Sequence, residues 1–173
     1  MRLLTFLAIL ICSVTLLAES AAGLQWTAPA GWQTERPRPM RAATYRIAPA
    51  SGDQSGGECV INYFGPGQGG TIDANVERWR GQVQGPDGKP APASVAKRTV
   101  RGITMTTIDA SGAYTGMGGP MMAAAKPVPN YRLLGAIVEG PGGNVFVKFT
   151  GPAKTVAANQ KQFEQLLGSF QKE

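Results

Sequence analysis

Residues 131–150, YRLLGAIVEGPGGNVFVKFT, constrain the fold more than any other stretch of this chain. Two apolar, β-rich runs flank Gly140-Pro141-Gly142-Gly143, the pattern of a β-hairpin. In the second run Val145, Val147 and Phe149 face one way, and Phe146 and Lys148 face the other. An isolated hairpin is at best marginally stable in water, so this one needs a larger sheet around it.

The rest of the sequence supplies that sheet. RAATYRI (41–47) reads as a strand with Ala43, Tyr45 and Ile47 on one side. CVINYF (59–64) is apolar at nearly every position, as a central strand would be. SVAKRTVRGITMTTIDASG (94–112) reads as two strands about a tight turn at Arg101-Gly102. Short-turn connections imply antiparallel pairing. TERPRPMR is too proline-rich for regular structure, and APASGDQSGGE and GPDGKPAPA are loops. Residues 115–130, TGMGGPMMAAAKPVPN, form a long irregular segment.

Two segments carry helical periodicity. In TIDANVERWRGQV, Ile72, Val76, Trp79 and Val83 line one face, Thr71 is a suitable N-cap and Asp73 complements the helix dipole. GPAKTVAANQKQFEQLLGSF predicts one closing helix, with Pro152 in its first turn and Val156, Phe163, Leu167 and Phe170 as its buried stripe. The resulting class is α+β: a mostly antiparallel sheet with helices packed on it.

The N-terminus has the plan of a secretory leader. Arg2 precedes an apolar core from Leu3 to Leu17, and small residues follow at Ser20, Ala21 and Ala22. This predicts a signal peptide over 1–22 and a single α+β domain over 23–173. A retained membrane anchor competes with that reading, but the apolar core is short for a span of ~20 residues. A lipoprotein fits less well, because a bulky Ile11 precedes Cys12. No second stretch approaches membrane length, so the mature chain is expected to be soluble and either periplasmic or extracellular.

The chemistry available after export is sparse. The chain has no histidine and two cysteines, of which the mature domain would keep Cys59 alone. That excludes a Ser-His-Asp triad, a Cys-His pair, a His-ligated zinc and an intramolecular disulfide. Cys59 reads as a small buried apolar residue. The acids are scattered, which leaves a carboxylate-dependent enzyme as one alternative.

The glycine-rich YFGPGQGG before the first helix fits G-x-G-x-x-G through Gly65, Gly67 and Gly70. A dinucleotide site needs backbone N–H groups facing the pyrophosphate, a parallel strand soon after the helix, and an acid at that strand's end. Pro66 offers no N–H, GPDGKPAPA intervenes, and Asp87 sits in a loop. The glycines read instead as positions of positive φ and close packing. No cofactor is expected.

Met117, Met121 and Met122 are soft donors that suit Cu(I), which makes a periplasmic copper-binding protein a second alternative. Methionine also makes adaptable contact surfaces. The chain carries a formal charge of +6, with local densities at Arg36, Arg38, Arg41, Arg46 and at Lys97, Arg98, Arg101. For an exported protein this favours envelope partners over nucleic acid. Arg41, Arg46 and the three loop methionines are therefore the candidate contacts of a non-enzymatic domain that docks to an envelope protein or anionic surface. The sequence does not specify an oligomeric state.

The opening W-x-x-P-x-G-W (Trp26, Pro29, Gly31, Trp32), the antiparallel sheet and the terminal FEQLLGSF resemble the PsbP-like α/β/α sandwich. The phrases YFGPGQGG, GAIVEGPGG and FVKFTGP are similar to those of a group of uncharacterised exported bacterial proteins. The resemblance implies a binding or accessory role, and it transfers no catalytic residue.

Overall fold

The computed structural model of the chain describes residues 19–116 and 126–173. The first strands are β1 (Glu19–Ala21), β2 (Leu24–Trp26) and β3 (Gln33–Thr34), followed by β4 (Arg41–Ile47) and β5 (Gly57–Asn62). Helix α1 (Ile72–Arg80) then leads to β6 (Val83–Gln84), β7 (Ala93–Val100), β8 (Ile103–Tyr114), β9 (Val128–Gly140) and β10 (Gly143–Pro152). Helices α2 (Ala153–Ala158) and α3 (Gln160–Ser169) and strand β11 (Gln171–Lys172) close the chain.

The main sheet has the order β3-β4-β5-β10-β9-β8-β6, with β7 also paired to β8, and every pairing is antiparallel. The 131–150 hairpin lies at its centre, closed by the two-residue turn Pro141-Gly142. The β7–β8 turn likewise falls at Arg101-Gly102, with φ of 50° and 73°. Two consecutive positive φ values match the twist of a hairpin. β9 starts at Val128, three residues before the strand expected from the sequence, because Val128 pairs with Tyr114 beyond a bulge.

One sheet face carries Ala43, Tyr45, Ile47, Cys59, Ile61, Val145, Val147 and Phe149, all buried. Val156, Phe163, Leu166, Leu167 and Phe170 of the C-terminal segment pack on it, with Leu24 and Trp26 of the small β1-β2-β11 sheet. Trp26 stacks on Phe170 at 5.2 Å, and Trp32 tilts against Phe149 at 5.3 Å. Each buried side chain of this size contributes roughly 1.5–3 kcal/mol. The Cys59 thiol lies inside this layer, where burial raises its pKa.

The closing segment is two helices rather than one. Asn159 breaks it at φ −108°, ψ 12°. Its side chain donates to the Thr155 carbonyl at 2.9 Å and accepts from the Trp32 indole at 3.2 Å. Competition of this kind from a short polar side chain disfavours a helix interior. Pro152 ends β10 and occupies the N-cap position of α2, not its first turn.

α1 lies on the opposite sheet face, where Val76 and Trp79 pack with Ile108, Leu133, Ile137 and Phe146. The glycine loop before it is a packing device. Gly65, Gly67, Gly69 and Gly70 all have positive φ, and a Cβ on Gly69 would meet the Phe146 ring at 2.6 Å. Thr71 caps the helix by accepting from the Ala74 N–H at 3.2 Å. β5 ahead of the loop and β6 after the helix are both antiparallel to their neighbours, which is incompatible with a dinucleotide-binding βαβ unit.

Candidate functional site

α1 covers its sheet face only over β8, β9 and part of β10. Over β4 and β5 that face carries Arg46, Glu58 and Asn62, with Lys148 and Thr150 of β10 beside them. Among the described residues no helix lies over this half.

Arg41 reaches this face through a break in strand alternation. A regular strand would point Arg41 with Ala43, Tyr45 and Ile47 into the core. The register shifts between Arg41 and Ala43, and this bulge turns Arg41 to the other face. There its guanidinium donates to Glu58 Oε1 at 3.0 Å and lies 3.4 Å from Thr44 Oγ1. Arg46 projects outward and pairs with Glu35, which also accepts from Arg38 at 2.7 Å. The bond to Arg46, then the surrounding guanidinium charges, hold the Glu35 carboxyl below its usual pKa.

Lys148 is the central cation. Its Nζ donates to Gln82 Oε1 at 3.2 Å and to the Tyr114 hydroxyl at 3.4 Å. Both acceptors are neutral, and among the described residues no carboxylate lies within 4.0 Å of it. Burial first, then the positive field of Arg78, lower its pKa to about 8. Burial also raises the Tyr114 phenol.

Two open grooves reach the neighbours of this lysine, one at Tyr114 and the other at Arg78. One, of about 630 Å³, is lined by Gln33, Arg46, Glu58, Thr150 and the stacked pair Tyr114 and Tyr131, whose rings lie 5.7 Å apart. The other, of about 640 Å³, is lined by Met40, Tyr63, Phe64, Gln68, Gly69 and Arg78. Met40 is two-thirds exposed and holds a φ of 63° at the third position of the Arg38–Arg41 turn. A type II turn normally places glycine there. The Asn62 amide grips the Met40 carbonyl at 2.8 Å.

Of the residues singled out in the sequence, Arg41 and Arg46 meet on this face. Met117, Met121 and Met122 lie outside the described residues; Tyr114 and Val128 line the first groove. Lys97 and Arg98 occupy the β7 edge, paired with Glu139 at 3.8 Å and Glu164 at 2.7 Å. Lys148, Met40, Arg78 and the tyrosine pair were not singled out. The usable signal was Lys148 itself, a charge inside an otherwise apolar central strand.

Two further carboxylates are engaged in structural bonds. Asp109 binds Arg132 through two bonds of 2.9 and 2.7 Å, which raise the guanidinium pKa. Asp53 accepts from both the backbone and hydroxyl of Thr155.

No protein-family model and no curated protein matches this sequence. Among solved structures, the cyanobacterial PsbP (CyanoP) from Synechocystis sp. PCC 6803 superposes with a TM-score of 0.54 at 11% identity. That similarity covers 97% of this chain and 98% of CyanoP, and it shows a shared fold. PA94 of Pseudomonas aeruginosa, a protein of unknown function, gives 0.47 at 13% identity over 89% of this chain and 94% of its own.

Proposed function

We propose that this chain is an exported, non-enzymatic binding module that docks an acid-rich segment of an envelope protein across the uncovered half of its main sheet. The observation that carries the reading is Lys148, a partly buried ammonium with neutral hydrogen-bond partners that feels Arg78 and Arg41, opposed by Glu58. Burying an ammonium without a counter-ion costs stability, so a carboxylate arriving from outside recovers interaction energy that the free protein lacks. Among the described residues, Arg38, Arg41, Arg46, Arg78 and Lys148 face only Glu35 and Glu58 there. Met40 and the tyrosine pair add apolar and aromatic contact area of the type enriched at interfaces.

The PsbP-like fold is compatible with this reading, because the resemblance implies a binding or accessory role. The lack of imidazole and the engagement of Asp109 and Asp53 in structural bonds argue against catalysis. Export rests on the leader-like pattern of the N-terminus.

A photo-cross-linking side chain at Met40 or Arg46, expressed in the native envelope, tests the reading. The expected product is one envelope protein captured at both positions, through a segment rich in Asp or Glu. A control position at Lys161, exposed on α3, should capture none of it. Equal capture at all three positions, no capture, or attachment through a segment without acids would refute the assignment.

A further inference from the structure

We infer that the leader is removed between Ala18 and Glu19, so that residues 19–22 belong to the mature fold. The inference rests on the export reading and refines its boundary. The step is a hydrolysis by a signal peptidase. Water adds across the Ala18–Glu19 amide, Ala18 leaves with a free carboxylate, and Glu19 begins the mature chain with a free amine.

Four observations place Glu19–Ala22 inside the folded domain. First, β1 pairs with β2 in register, Glu19 opposite Trp26, Ser20 opposite Gln25 and Ala21 opposite Leu24. The turn between them is Ala22-Gly23, with φ of 60° and 70°, the two-residue geometry of a tight hairpin. A cut after Ala22 would fall inside that turn.

Second, the Glu19 carboxylate accepts from two buried aromatic residues. The Trp26 indole N–H lies 3.2 Å from Oε2, and the Tyr45 hydroxyl donates to the same oxygen. Trp26 and Tyr45 are 1% and 0% exposed; the indole N–H also donates to the Tyr45 hydroxyl at 2.8 Å, and that hydroxyl needs Glu19 as its own acceptor. Third, the Ala22 carbonyl accepts from the Gly142 N–H at 2.8 Å, which ties the hairpin to the β9–β10 turn. Fourth, the fit there is close. A Cβ on Gly142 would stand 3.0 Å from the Ala22 backbone, and one on Gly140 would stand 3.0 Å from the Ala22 oxygen.

Removing residues 19–22 would strip an edge strand from β2, leave the Tyr45 hydroxyl without its acceptor and free the Gly142 N–H. The sequence offers a compatible earlier site. Ala18 is small and directly follows the apolar core. The peptidase reads an extended chain, and this bond precedes the first strand of the domain.

Expression of the full chain with a C-terminal tag in a Gram-negative host, fractionation, and intact-mass measurement of the purified protein decide the matter. The expected result is an envelope-fraction chain beginning at Glu19. The Ala18→Tyr variant should then accumulate as precursor. An envelope chain beginning at Gly23, or at any residue after Glu19, would overturn the inference while leaving export intact. So would normal processing of Ala18→Tyr. A chain that keeps Met1 in the cytoplasm would overturn export and the inference together.

Discussion

Lys148 Nζ donates to Gln82 Oε1 across 3.2 Å, tying the centre of the main sheet to the residue that follows α1 by two positions. The lysine pKa is lowered to about 8, against roughly 10.4 in an unfolded chain. Between those values the unfolded state binds more protons than the native state. Stability should therefore rise as the pH increases from about 8 to 10. Lys148→Met should remove that rise and gain roughly 1–3 kcal/mol at pH 7. Urea unfolding at several pH values checks both. The window closes above pH 10, where the raised pKa of Tyr45 and Tyr114 makes stability fall with pH.

Gly135 sits beneath α1. A Cβ there would meet the Trp79 ring at 2.6 Å and Ile108 at 2.8 Å. Both neighbours are buried and neither ring nor strand can retreat cheaply. Gly135→Ala should destabilise by about 1–3 kcal/mol and displace the helix. Denaturant midpoints and the Trp79 fluorescence spectrum would report it; an unchanged midpoint would contradict the packing.

Under the proposed docking, Met40 is a residue that separates folding from binding. Its φ of 63° is one that a glycine adopts freely, and its side chain is exposed. Met40→Gly should raise stability by about 1 kcal/mol by relieving backbone strain. The same change should lower capture of the envelope partner several-fold. Thermal melting and cross-linking yield measure the two effects separately. A loss of both stability and capture would mean that Met40 serves the fold.

Two purified chains, 19–173 and 23–173, should differ in stability. The shorter one lacks the β1–β2 pairing and the Glu19 acceptor. It should unfold about 1–3 kcal/mol more easily, consistent with stranding a buried donor and losing an edge strand. Glu19→Gln in the longer chain should lose only part of that difference, because the amide oxygen can still accept and the β1–β2 pairing remains. Equal urea midpoints for the two chains would show that the hairpin contributes nothing.

Periodicity carried most of the architecture. Ala43, Tyr45 and Ile47 alternate into the core, the 131–150 hairpin is central, and Thr71 caps α1. These features are local, set by backbone geometry and by the spacing of apolar residues. Asn159 shows where periodicity failed. Its buried stripe continues smoothly, yet a side-chain bond to Thr155 splits the helix in two.

The uncovered face followed from a different kind of information. Period-two alternation sends Arg41 inward, and a single bulge reverses it. Lys148, Arg78 and Tyr114 lie far apart in the chain and meet because β10, α1 and β8 converge there. The sequence places Glu19 in the leader, and only the tertiary structure shows Trp26 and Tyr45 donating to it. A repeating pattern of apolar residues reports which side of a strand is wet, and this chain wrote that clearly. Which charges become neighbours depends on strand order and register, and those are set by long-range packing that no local pattern encodes.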